Sequence, residues 1–179
     1  NQILIPYAFI DESKKRFEAA SYSTSGVSAQ EAAIDALLHT LFHEFAHALI
    51  YMNELPVVGK EEDAADSLAT ILLIDYFEDG EEIALSAADL FELESPEPVD
   101  LEEPDFWDEH SLDLQRYYQT LCLVYGSDPE AYQSMLDERG LPEERSELCV
   151  QEYEDASRNW QLLLAPVSNA EQVFEVAAQ

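Results

Sequence analysis

Positive charge is scarce in this chain: 8 Lys and Arg stand against 39 Asp and Glu in 179 residues, a net charge of −31 at pH 7. Binding to nucleic acid or to anionic lipid needs clustered Lys and Arg, so neither is expected as a partner. Long apolar runs are also missing. The longest, such as Ile3 to Ile10 and Ala69 to Ile74, fall far short of the ~20 residues a membrane helix requires. Only two cysteines are present, Cys122 and Cys149. They exclude a four-cysteine zinc site and leave two readings open, one disulfide or two buried thiols. If bonded, they close a loop of roughly 27 residues for ~3 kcal/mol of stabilisation. The chain starts at Asn1 without an initiator Met or an apolar leader, as processing or trimming would leave it. What is abundant is apolar character, at 47% of residues, which excludes a disordered acidic tail. A chain of this length buries about two thirds of its unfolded surface in one core, so residues 1–179 are expected to form a single domain.

The apolar, β-branched and aromatic stretch Ile3 to Ile10 reads as an edge strand or strand start, with Pro6 removing a ladder donor. Phe17 to Thr24 reads as a second short strand after a polar turn at Asp11 to Arg16, which makes residues 1–26 the β-rich part. Ser28-Ala29-Gln30-Glu31 is a capping box. It opens a long helix to about Asn53, apolar on most sides and expected to be central. Leu55-Pro56-Val57-Val58-Gly59 breaks the helix, and helical spacing resumes from Glu61 to about Tyr76. A further helix is expected over Glu81 to Glu94. Residues 95–105 hold three prolines and five acids and read as an extended loop. Helices follow from Ser111 to near Tyr125, from the Ser127-Asp128-Pro129 cap to Gly140, and from Leu141-Pro142 to about Ala165, so that 111–165 is a helical C-terminal part. The expected class is mainly α with a small N-terminal β-hairpin or sheet.

Chemistry concentrates in His43-Glu44-Phe45-Ala46-His47. Four residues of helix bring two imidazoles within ~40° of one face and ~6 Å apart along the axis, so both reach one zinc ion. Glu44 sits on the flank, where it can take a proton from water without ligating. This H-E-x-x-H arrangement supplies two ligands and a general base. A catalytic zinc needs a third protein ligand and an open fourth position. Glu61-Glu62-Asp63-Ala64-Ala65-Asp66 opens the next helix, and Glu62 and Asp66, four apart, share a face. Glu62 is the leading third ligand, with Glu61 and then Asp63 as rivals. Asp66 is placed to accept the second N–H of His43 and fix its tautomer. His39 shares the histidine stripe but lies about 12 Å from His47 along the axis, too far for a common metal, and reads as a core or cleft residue. His110 or Arg116, from a later segment, can supply the donor for a developing oxyanion.

These residues resemble a known family. H-E-x-x-H followed by E-x-x-x-D (Glu62 to Asp66) resembles the zincin metallopeptidases whose third ligand is glutamate. HEFAHALI, LPVVGKEEDAADSLAT, FWDEHSLDLQRYYQTLCLVYGSDP and LPEERSELCVQEY are similar to a bacterial family described as "putative metallopeptidase" among the domains of unknown function, from about Ile3 to Leu164. The resemblance implies a zincin-like fold, a Zn²⁺ cofactor on His43, His47 and Glu62, Glu44 as base, and a peptide or protein substrate. It also implies a disulfide between Cys122 and Cys149, and hence a periplasmic or secreted protein. Family members carry further strand-forming sequence ahead of the segment matching Ile3, so sheet strands are expected to be few here. From a different class, the charge of −31 supports a non-catalytic module whose acidic surface binds a basic protein.

Overall fold

The structure, a computed structural model, describes residues 2–22, 26–95 and 101–166. Among the described residues seven helices follow one another: α1 (Ala8–Ala19), α2 (Ala29–Asn53), α3 (Glu61–Tyr76), α4 (Gly80–Glu94), α5 (Asp113–Ser127), the single turn α6 (Met135–Glu138) and α7 (Glu143–Leu164). A short 3₁₀ turn, Glu103–Phe106, lies between α4 and α5. The capping box forms as the sequence predicts: Ser28 Oγ accepts from the Glu31 amide at 3.2 Å, and the Ser28 amide donates to Glu31 Oε2 at 3.0 Å. Glu54, in the left-handed region, ends α2, and the extended stretch through Pro56 lets α3 fold back against it. Much of the Pro-rich 95–105 stretch lies outside the described residues, at 96–100.

The N-terminal hairpin is not seen, and no strand occurs among the described residues. Residues 2–6 are irregular, and Asp11 to Arg16 lies within α1, with Ser13 buried and Asp11, Glu12, Lys15 and Arg16 exposed. The residues follow the helical period instead. Phe9 and Ile10 are half-buried while Ser13 and Phe17 are buried, a helical recurrence that the adjoining apolar run at Ile3 to Tyr7 conceals. Pro6 fits this arrangement, because it precedes the first turn, where no N–H is needed, and its carbonyl accepts from Phe9 N at 3.0 Å. Phe17 to Ala19 belong to α1, while Ser23 and Thr24 fall outside the described residues.

The helices pack in an overlapping series: α1 on α2, α2 on α3 and α4, α3 on α4 and α5, and α5 on α7. Small residues permit this. Ala32, Ala33 and Ala36 of α2 meet Phe17 of α1 and Leu90 of α4, all buried. α2 is therefore less central than its composition suggests, because its far side is uncovered: Ile34, Leu41, Phe45 and Met52 remain 50%, 40%, 42% and 63% exposed. A second cluster joins α2 and α3 to α7 through Ile50, Leu68, Ile71 and Trp160. The third links α4, α5 and α7 around Phe91, Leu121 and Tyr125. There Cys122 and Cys149 form a disulfide between α5 and α7, fully buried. Gly126, expected just beyond α5, instead lies in its last turn. A Cβ at that position would stand 2.2 Å from the Cys149 carbonyl oxygen, so glycine is what lets α5 and α7 approach backbone to backbone. No helix among the described residues is long and apolar enough to cross a membrane.

Candidate metal centre

The fold-back of α3 on α2 places residues in rungs. Each step of four along α2 is answered by a step of four back along α3: His39 faces Thr70, His43 faces Asp66 and His47 faces Glu62. One helical face is therefore read against another in antiparallel order. The lowest rung holds buried, neutral groups, and the chemistry begins one turn further up.

There the Nε2 atoms of His43 and His47 lie 3.1 Å apart. Glu62 Oε2 is 3.1 Å from the first and 3.2 Å from the second. The outer nitrogen of each ring is held: Asp66 Oδ1 accepts from His43 Nδ1 at 2.7 Å, and Glu61 Oε1 accepts from His47 Nδ1 at 2.8 Å. A carboxylate only accepts, so each ring places its hydrogen on Nδ1 and turns a lone pair inward from Nε2. Three ligating atoms thus converge on one point, an arrangement that a cation stabilises. The spacing fits a metal. Four donors set tetrahedrally at zinc distances of 2.0–2.1 Å stand about 3.3 Å from one another. His43, His47 and Glu62 are the group among the described residues that can hold a metal ion.

The surrounding charges reinforce this geometry. Burial alone would raise the Asp66 carboxyl, but the hydrogen bonds from His43 and Arg116 outweigh it and hold it well below the usual carboxylate range. Arg116 contributes both arms of its fork, Nε to Oδ2 at 2.7 Å and Nη2 to Oδ1 at 3.1 Å. Its guanidinium also lies 4.0 Å over the Phe91 ring. Partial burial opposes a proton on His47, yet the hydrogen bond to Glu61 and the nearness of Glu62 raise its pKa. A metal ion would compete with that proton for the same lone pair.

Glu61, a rival third ligand in the sequence, is therefore placed on the outer nitrogen of His47, one helical step around from Glu62. Asp63 turns the other way, into a separate cavity of about 380 Å³ between α3 and α7 that also includes Trp160. Glu44 is exposed on the flank of α2. His39 is buried against Thr70, 3.2 Å from its hydroxyl, with its ring edge-on to Phe91; burial pushes its pKa down to about 4. Of the two oxyanion candidates, the structure brings His110 to the cluster and commits Arg116 elsewhere. His110 Nε2 is 3.0 Å from Glu62 Oε2, and its ring stacks on His43. Beside it opens a cavity of about 300 Å³ lined by Leu101, Leu112, Asp105, Asp108, Asp113 and also Arg116. Sequence reasoning missed Thr70 and Glu61 as partners, although the four-residue register of the two helices is the signal that finds the first.

No curated protein and no solved structure matches the chain. The sequence pattern of a family described as "Putative metallopeptidase" matches residues 1–164, a span that includes every residue of the cluster, and the chain belongs to that family.

Proposed function

We propose that the protein is a zinc-dependent peptidase. The observation that carries this reading is the convergence of three lone pairs, from His43, His47 and Glu62, each imidazole locked by a carboxylate on its far side. Two imidazoles and one carboxylate are a known catalytic zinc set, and they leave a fourth position for water or substrate. Bound there, zinc supplies a Lewis acid that polarises a peptide carbonyl and acidifies water. The chain's own residues do the rest. Glu44, exposed beside the two ligands, takes the proton of the attacking water and passes it to the leaving amine. His110, whose Nε2 lies 3.0 Å from Glu62 Oε2, turns an Nε2–H towards the oxygen that gains charge in its doubly protonated form, with Asp108 holding its Nδ1. Asp66 and Glu61 keep the imidazoles in their ligating tautomers. The Cys122–Cys149 bridge supports an oxidising compartment, periplasmic or extracellular.

Metal analysis by mass spectrometry on wild type, Glu62→Ala and Glu61→Ala tests the site. The expected result is about one zinc per chain in the wild type, lost in Glu62→Ala and retained with roughly 10–100-fold weaker affinity in Glu61→Ala. Glu44→Gln should keep zinc and lose turnover on a peptide library by about 10²–10⁴-fold. A wild type that takes up no metal after reconstitution would overturn the proposal and leave the acidic binding-module reading in its place.

A further inference from the structure

His110 is carried by an irregular segment, and something must hold that segment against the metal-binding helices. Residues 107–112 contain no helix or strand. Within them Asp108 folds the turn on itself: its Oδ1 accepts from the His110 amide at 2.8 Å and from the His110 ring Nδ1 at 3.2 Å. These bonds shape the turn but do not attach it to anything. Beyond the His110 ring itself, which reaches Glu62, the main-chain attachment comes from Lys60. Its Nζ donates to the carbonyl oxygen of Asp108 at 3.1 Å and to that of His110 at 2.9 Å. Two of the three ammonium hydrogens are therefore spent on main-chain acceptors flanking a single residue.

The position of Lys60 gives this contact its meaning. It is the cap residue of α3, in extended conformation, two positions before Glu62. Gly59, at φ 138°, makes the bend that sends the chain into it, a conformation that a side chain at residue 59 would strain. The same short stretch thus delivers the third ligand with Glu62 and reaches 48 and 50 residues ahead to fix the turn that bears His110. An ammonium on a flexible stem suits this role, because it can satisfy two carbonyls without a planar geometry. The surroundings are acidic, with Asp108 and Glu109 in the turn itself, so that the cation also offsets local repulsion.

We infer that Lys60 is a positioning residue for His110: it holds the 108–110 turn so that the imidazole stays over Glu62. The inference rests on the peptidase reading for the role of His110, but the contact itself is independent of it. A donor displaced by about 1 Å costs up to 10²-fold in rate. Zinc-loaded wild type, Lys60→Met, Lys60→Arg, His110→Ala and the His110→Ala/Lys60→Met double variant form the test. In Lys60→Met, kcat should fall about 10–100-fold, with KM and zinc content unchanged. Amide hydrogen exchange across 107–112 should speed up by at least about tenfold, the scale of a single lost hydrogen bond to a charged group, of which Lys60 makes two. Lys60→Arg should recover part of both effects, and Lys60→Met should cost nothing further in the His110→Ala background. Wild-type exchange and turnover in Lys60→Met, or an undiminished effect in the double variant, would overturn the inference. A wild type that binds zinc but hydrolyses nothing would overturn the peptidase reading and the catalytic use of His110 with it, while the exchange measurement still decides whether Lys60 holds the turn.

Discussion

Replacing Arg116 by Met leaves Asp66 without its main counter-charge, and the cost follows from how little water reaches the pair. The Arg116 and Asp66 side chains are 16% and 7% exposed. Removing one partner of a buried ion pair typically costs 3–5 kcal/mol, because the survivor keeps its desolvation penalty. His43 Nδ1 still donates to Asp66, which places the expectation near the lower end, at about 3 kcal/mol. With a urea slope of about 2 kcal/mol per molar, the unfolding midpoint should drop by about 1.5 M. The assay is urea unfolding of metal-free protein, so that zinc linkage does not enter. The pH dependence has a definite sign. The Asp66 carboxyl is depressed in the folded state, so its contribution is complete at neutral pH and is lost as the pH falls through and below the ordinary carboxylate range. The gap between wild type and Arg116→Met should therefore be widest near pH 7 and narrow in acid. Adding Asp66→Asn removes the stranded charge and should restore much of the loss. A midpoint within about 0.3 M of wild type at pH 7, or a double variant weaker than Arg116→Met alone, would refute the reasoning.

Two other perturbations test the frame around the site. His39, neutral and buried with a pKa pushed down to about 4, takes up a proton more readily once unfolded. Stability should thus fall as pH drops from about 6.5 towards 4, by an order of 3 kcal/mol at most; His39→Gln should flatten that part of a pH series of urea midpoints. Replacing Cys122 and Cys149 together by Ala frees a 27-residue loop and should cost about 3 kcal/mol in the chain-entropy model, read by calorimetry against the oxidised wild type.

The parts of this molecule legible in the sequence are those governed by local rules. The Ser28–Glu31 box and the Pro56 break determine where α2 begins and where it gives way to α3, and both act over a few residues. Spacing by four marks His43 with His47, and Glu62 with Asp66, as faces; once two such faces belong to helices joined by a short break, their antiparallel meeting is nearly forced. Glu61 was harder to place, since its partner is decided by the sideways offset between α2 and α3, which no periodicity carries. Arg116 and His110 were indistinguishable in sequence, because the choice between them depends on how α5 docks, some 50 residues after Asp66. At the N-terminus the failure was one of ambiguity. A short apolar run fits a strand as well as it fits the start of a helix, and only the burial of Phe17 against α2 and α4 decides between them.

The bare side of α2 has a consequence for how copies of the protein meet. Ile34, Leu41, Phe45 and Met52 form a stripe that would adhere to its own kind, yet each molecule carries a net charge of −31. In dilute buffer the repulsion reaches across the solvent gap before two stripes can touch, over about 30 Å at 0.01 M salt and about 3 Å at 1 M. The charge therefore acts as a colloidal guard over the stripe. Concentrated salt lowers that guard, and the same protein then becomes adhesive along one helix.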